Sequence, residues 1–490
     1  MGGPSGLLRL KIGCVIMNQL RARLQEASKA RLPMILAVYI LCQPLLDVLT
    51  GLGAEWNHPI TAGVIVRSVV IVLVFLYAVF LSDFPGKKRA MIFTGALVGY
   101  LILFMAHMFM VGGFSLCMSN VREVVKTFFA PFMLVFLWSV YRQYGYLVSA
   151  EAIAWAGALY VSVIPISEFT ASGYYSYGSS GYGQRGWFYA ANEVGCVIAL
   201  AAPFTIWYCL KIIPTVTKKT WWKGALACWA LFAVAYSANF LGTKIIFAAI
   251  TLYCAAVFIW QLVQLRRERT RTRKIQAVTM GAMLLLTLGI FLFNSPLLQY
   301  LVQIYFPLLH NEPEITLASW GEEIQAAAKG TWLMNLLNSN ELLESIDQIL
   351  SRRMLSSAPA VQVYTEGGIA AKLLGIGYAN AAAYSRPMYF MVEMDPLSML
   401  IRHGIVGFLL YYVPYLGFLG WAIGQFFKHT GQRMSSLRYC TALYCTLVGF
   451  GISTIAGHAL VAPAVATFLL VVAFQLLDQT LEQNKLYQGK

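Results

Sequence analysis

Apolar runs of about 20 residues recur from residue 33 almost to the end of the chain, divided by short polar turns. A helix rises about 1.5 Å per residue, so each run is long enough to cross the ~30 Å hydrocarbon of a bilayer. The pattern predicts an all-α polytopic membrane protein with about 12 transmembrane helices. They fall at 33–52, 61–82, 90–111, 121–140, 147–168, 189–210, 222–238, 243–265, 275–293, 397–426, 437–457 and 459–477. The remaining divisions are an interfacial segment 1–32, a large loop 294–396 and a tail 479–490.

The periodicity changes inside the large loop. IQAAAKGTWLMNLL and ELLESIDQILSRRM carry apolar residues at spacings of three and four, which predicts two amphipathic helices broken near 338–340. A Gly-punctuated stretch, GGIAAKLLGIGYANAAAYSRPM, follows and leads to the next span. The other distinctive segment is ASGYYSYGSSGYGQRGWF, residues 171–188. Its Gly and Ser make it pliable, while Tyr182 and Trp187 supply flat faces suited to a sugar ring or to anchoring at the interface.

Charge orients this plan. The chain is 59% hydrophobic and 12% charged, with a net charge of +15. The basic clusters at 9–31, 87–89, 142, 211–223, 266–274 and 428–438 all fall on one side if the N-terminus is inside, so both termini are expected in the cytoplasm. The large loop then lies outside, and it carries ten carboxylates against five bases. The positive balance therefore reports topology, with no nucleic-acid partner. None of the nine cysteines lies in the large loop, so no disulfide framework is expected there. Residues 7–31 read as an interfacial amphipathic helix, not a secretory signal.

Charges within spans are costly in hydrocarbon and mark cavities or partners. Asp47, Arg67, Arg122, Glu123, Lys126, Glu168, Glu193, Lys244, Arg402, His403 and His458 make up that set. Several fall toward the loop side and imply a positive cavity for an anionic group such as phosphate, against the plainer reading that each pairs with a carboxylate or reaches the headgroups. Gly183 and Gly186 flank Arg185 and free its guanidinium for close approach to a ligand. Arg352 and Arg353 are expected to end an amphipathic helix. Glu393 is placed to act as a base, and Asp395 as either a substrate contact or a helix cap before Pro396. His403 and His458 read as satisfied structural histidines. No metal-ligand spacing, nucleotide loop or nucleophile elbow occurs, so no cofactor is expected.

Four patterns resemble the O-antigen ligase and polymerase superfamily of bacterial envelope glycosyltransferases. GQRGWFYAANEVG places Arg185 and Asn192 at that family's Arg and Asn. SANFLGTK matches its turn of a hydroxyl and a basic residue, Thr243 and Lys244. LSRRMLSS followed by LLGIGYAN is similar to its loop pattern, at Arg352 or Arg353, Gly375 and Gly377. DPLSMLIRHGIVGFLLYY resembles its closing span, with Gly404 and Gly407. Ligases carry a His just before that span, where this chain has Glu393.

The resemblance implies an undecaprenyl-diphosphate-linked glycan donor, a glycan or lipid acceptor, and membrane lipids as surroundings. It implies transfer or polymerisation of an envelope polysaccharide at the outer face of the inner membrane, without separating polymerase from ligase or fixing the oligomeric state. Arg185 with Arg352 or Arg353 is expected to converge on the departing diphosphate. Arg67 and Lys244 assist, Tyr182, Trp187, Asn192 and Asp395 bind substrate, and Glu393 serves as base. The competing readings are a carrier for lipid-linked sugar, although no matching halves are visible, and a noncatalytic scaffold.

Overall fold

The computed structural model describes residues 31–57, 61–176, 183–305, 328–349, 352–378 and 392–488. Among them, nine helices are long and apolar enough to cross a membrane. In chain order the helices are α1 (Arg31–Glu55), α2 (Ala62–Leu81), α3 (Lys87–Tyr144), α4 (Ala150–Phe169), α5 (Ala191–Ile212), α6 (Trp221–Phe240), α7 (Lys244–Arg267) and α8 (Arg271–Asn294). The large loop holds α9 (Pro296–Tyr305), α10 (Trp332–Asn338), α11 (Glu341–Ile349), α12 (Arg353–Glu366) and α13 (Ile369–Leu374). The bundle resumes with α14 (Asp395–Lys428), α15 (Leu437–Ile455) and α16 (Pro463–Gln488).

One of the nine is a hairpin. The α3 backbone leaves helical geometry at Gly112 and Gly113, the latter at φ +69°. Tyr100 and Phe128 then face each other with ring centroids 5.9 Å apart, whereas a straight helix would set them roughly 40 Å apart. The two arms of α3 therefore run antiparallel, and helix continues through residues 114–120, where the hydropathy pattern suggested a loop.

The centre of the bundle is built by close approach of small residues. A Cβ on Gly157 of α4 would meet the Ala201 carbonyl of α5, and Thr205 Oγ1 donates to the Ala154 carbonyl at 2.8 Å. With little hydrophobic drive between helices in lipid, such contacts and hydrogen bonds supply the association. α5 and α16 are buried along most of their length, while α2 and the apex of α3 present Val69, Leu73, Met110 and Phe114 outward.

The loop helices form a second, smaller core. Leu333 and Leu337 of α10 pack with Leu355, Ala358 and Val361 of α12, and with Ile376, Val392 and Ile401. The loop seats on the bundle through a break in α14. Gly404 has φ +63°, which interrupts the span and frees two carbonyls. Ile376 N donates to the Ile401 carbonyl and Gly377 N to the Arg402 carbonyl, each at 3.0 Å. Broken backbone at membrane depth is tolerated where protein groups satisfy it in this way. The glycines are required by contact: a Cβ on Gly404 would meet Leu373 and Gly375, and one on Gly375 would meet Arg402.

The amphipathic helices divide at Ser339–Asn340, within the predicted break, and the second is described over Glu341–Ile349. Arg352 and Arg353 do not end it; Arg353 opens α12, and Arg352 precedes it with φ +56°. The expectation failed because a left-handed residue restarts the helix with no break in hydrophobic spacing. Strands β1 (Tyr174–Tyr175) and β2 (Gln184–Gly186) pair antiparallel, with β2 packed on α4 and α5.

Candidate functional site

Four segments distant in sequence meet at the loop end of the bundle around a narrow recess of about 10 Å³, room for a single water. Asn192, Gly195 and Cys196 come from the first turns of α5, Thr243 and Ile245 from the start of α7, Arg353 from the start of α12, and Ala456 and Gly457 from just beyond α15. Thr243 Oγ1 is buried here without a hydrogen-bond partner. A buried hydroxyl left unsatisfied is costly, so it points to a ligand or water in the recess. Gly195 keeps the wall open, since a Cβ there would lie 3.2 Å from that hydroxyl.

Arg353 is held from behind. Its Nε donates to Glu393 Oε2 and its Nη1 to the Ile455 carbonyl at 3.4 Å. Both partners are mostly buried, with 13% and 16% of their side chains exposed. A cation on the first residue of a helix opposes the helix dipole, so Arg353 is not there to stabilise α12. Asp347 does that work, accepting from Met354 N at 2.7 Å and Leu355 N at 3.4 Å. Burial pushes the Asp347 carboxyl above its ordinary value, against the pull of those two N–H groups and the Arg352 charge. The Arg353 charge also acts on Lys244, which opens α7 beside Thr243.

Asp395 lies next to this centre: its Oδ1 is 3.3 Å from where a Cβ on Gly457 would stand. Fully buried, it accepts from Ser453 Oγ at 2.9 Å and from the backbone N of His458, Ala459 and Leu460 at 2.7, 3.0 and 2.9 Å. Its oxygens are taken by the turn between α15 and α16, so it is not placed to bind substrate. Nor does it cap its own helix; it fastens another. The chain at Glu393 passes so close to this turn that a Cβ on Gly457 would overlap the Glu393 carbonyl.

The remaining candidates separate. Arg352 lines a different recess, with Asn338, Glu344 and Asp347. Arg185 pairs with Glu55 at the end of α1, donates to the Tyr189 carbonyl and lies 5.5 Å from the Tyr174 ring. Its Nε is buried without a partner. The three arginines therefore do not converge on one recess among the described residues, because carboxylates from separate segments claim Arg185 and Arg353. The hairpin bearing Arg185 nonetheless abuts the turn that carries Thr243, through Ser176 Oγ donating to the Leu241 carbonyl at 2.8 Å. Arg67 is drawn into the bundle: it pairs with Asp47 and donates to Gln43 Oε1 at 2.9 Å, while Tyr160 donates to Asp47. That pairing removes Arg67 from the cavity. Trp187 Nε1 donates to Ser172 Oγ at 3.0 Å, and Tyr182 lies outside the described residues.

A further polar unit was not picked out as one from the sequence. His403, fully buried, has Tyr100 Oη 3.1 Å from Nδ1 and Tyr378 Oη 2.9 Å from Nε2. Tyr378 Oη is also 2.5 Å from Thr127 Oγ1, and its backbone N donates to Asn120 Oδ1 at 2.6 Å. The available signal was the pairing of a mid-span His-Gly with a Gly-x-Gly-Tyr in the loop.

A family model described as O-antigen ligase like membrane protein matches residues 29–483. No curated protein matches the chain.

Proposed function

The chain belongs to the O-antigen ligase like membrane proteins, and on that premise we propose that it moves glycan from an undecaprenyl-diphosphate-linked donor to an acceptor hydroxyl. It is a multi-pass membrane protein of a glycosyltransferase-type family that acts in polysaccharide assembly. We further propose twelve passes with both termini cytoplasmic, and the Arg353 recess at the outer face of the inner membrane. Basic residues at the opposite ends of the spans support it.

In this reading the bond from the sugar's anomeric carbon to the diphosphate oxygen breaks as the acceptor oxygen bonds to that carbon. Arg353, with Lys244 beside it, takes the charge that grows on the leaving diphosphate. A preplaced guanidinium in a partly dry recess does this at little reorganisation cost. Glu393 aims Arg353 through Oε2 and takes the acceptor proton on Oε1. Thr243 and Asn192 supply neutral hydrogen bonds to the donor headgroup. Arg185 joins from the hairpin by exchanging Glu55 for the donor.

One observation carries the proposal: a buried, unpartnered Thr243 hydroxyl shares its recess with a cation held at the wrong end of a helix. The test is mass spectrometry of envelope polymer from cells with and without this chain. Single repeat units without it mean polymerase, and long unattached chains mean ligase. Unchanged polymer, both in length and in attachment, rejects the proposal.

A further inference from the structure

The start of α12 sends two consecutive arginines into two different recesses. Arg353 lines the transfer recess, while Arg352 lines another, between α10, α11 and α12, with Asn338, Glu344 and Asp347. The backbone parts them. Arg352 is left-handed, at φ +56° and ψ +31°, and Arg353 is the first residue of the helix. A side chain is strained in that conformation, so an arginine stands where a glycine would fit freely.

The second recess has a volume of about 50 Å³, room for about three or four waters. Its polar groups are only partly used. Among the described residues the Arg352 guanidinium makes no ion pair and no hydrogen bond, although its backbone N donates to the Asp347 carbonyl at 2.7 Å. Asp347 commits Oδ1 to Met354 N and Leu355 N, which leaves Oδ2 without a hydrogen bond among the described residues. Glu344, one turn earlier on α11, makes no ion pair among them either.

These groups choose a ligand by charge and by hydrogen-bond sense. Arg352 can only donate, the carboxylates accept when ionised, and Asn338 does both. A phosphate would meet two carboxylates, and an ammonium would meet the guanidinium. A neutral ligand whose hydroxyls donate and accept satisfies all of them, while Met334 and Leu337 offer an apolar wall to its C–H groups. The hydroxyl edge of a sugar ring has that chemistry and that size.

We propose that the Arg352 recess is a glycan subsite, which seats one neutral sugar of the glycan being assembled by its hydroxyl edge. It deepens the transfer reading and rests on it for the glycan. Consecutive Cα atoms lie about 3.8 Å apart, so a sugar held by Arg352 sits beside the recess where Arg353 meets the diphosphate.

The test titrates the purified full chain in detergent with short oligosaccharides, released by mild acid from the envelope polymer of the cells that make it, and reads binding by microscale thermophoresis. Arg352→Gln should weaken binding by about tenfold, and Asn338→Ala should weaken it in the same direction. Arg122→Gln, the same loss of charge on an exposed residue of α3, should leave it as it was. Arg352→Gly separates binding from folding, because it removes both the guanidinium and the strain. Its affinity should fall as far as that of Arg352→Gln, while its melting temperature stays at or above wild type. A lower melting temperature for Arg352→Gly, wild-type affinity in either Arg352 variant, or a wild-type chain that binds no oligosaccharide would overturn the subsite. The envelope polymer of cells with and without the chain judges transfer separately: unchanged polymer beside Arg352-dependent binding rejects transfer and keeps the subsite.

Discussion

The hydroxyl of Tyr378, from the large loop, lies 2.9 Å from Nε2 of His403, in the middle of a span. For a neutral ring, which full burial favours, the surrounding network leaves one assignment of protons. Tyr100 donates to the His403 carbonyl at 2.7 Å, so its oxygen must accept from Nδ1–H. Nε2 then accepts from Tyr378, whose oxygen accepts from Thr127. His403 is thus a neutral imidazole joining loop to bundle, packed against Phe104 and Phe128 at 4.7 and 5.0 Å between ring centroids.

The first prediction follows from that assignment. Nitrogen-15 NMR of histidine-labelled protein should show one buried imidazole carrying its proton on Nδ1. Tyr378→Phe should keep that tautomer, which Tyr100 still fixes, but lose about 1–3 kcal/mol of stability, because Nε2 is left buried without a donor. An imidazole protonated on Nε2 would contradict the network.

Backbone strain gives the second. Gly404→Ala should destabilise by about 1–3 kcal/mol or more, since φ is +63° and the new methyl meets Leu373 and Gly375. Gly417→Ala, on the same helix with open space around it, should be close to neutral or slightly stabilising. Thermal unfolding in detergent separates them, and equal melting temperatures for the two variants would contradict the seating of the loop at the Gly404 break.

The third concerns Asp395. Asp395→Ala leaves three buried backbone N–H groups without an acceptor, each costing about 1–3 kcal/mol. Folded yield should fall sharply, as judged by size-exclusion chromatography. A well-folded Asp395→Ala protein that fails only in transfer would return this residue to the substrate site.

Asp347 supplies a dependence on pH. Burial raises it, so the folded loop favours its protonated form. Its contribution to stability is full below the unfolded value and is lost as pH rises through the raised one. The gain in melting temperature of Asp347→Asn over wild type should therefore grow from acid to neutral pH. A gain that shrinks over that range would reverse the assigned cause.

Much of the bundle was legible because hydrocarbon demands long apolar runs, and the hydropathy pattern records them directly. The α3 hairpin was legible as two spans, but its tight reversal at Gly112–Gly113 was not, since helix and loop share the same apolar residues there. In the candidate site, Arg353, Glu393, Asn192 and Lys244 were named from short motifs. Their grouping was not visible, because the pairing of Arg185 with Glu55 and of Arg67 with Asp47 depends on which helices pack together. Arg353 was misjudged as a helix end because a residue at φ +56° leaves no trace in hydrophobic spacing.

The claim that Arg353 receives the leaving diphosphate is tested most directly by single-turnover transfer from a purified lipid-linked donor. Arg353→Gln should cut the transfer rate of the folded protein on the order of 10²–10³-fold while donor binding changes little. Adding Glu393→Gln should cut the rate further, because Glu393 also takes the acceptor proton. A near-wild-type rate for Arg353→Gln would contradict the account.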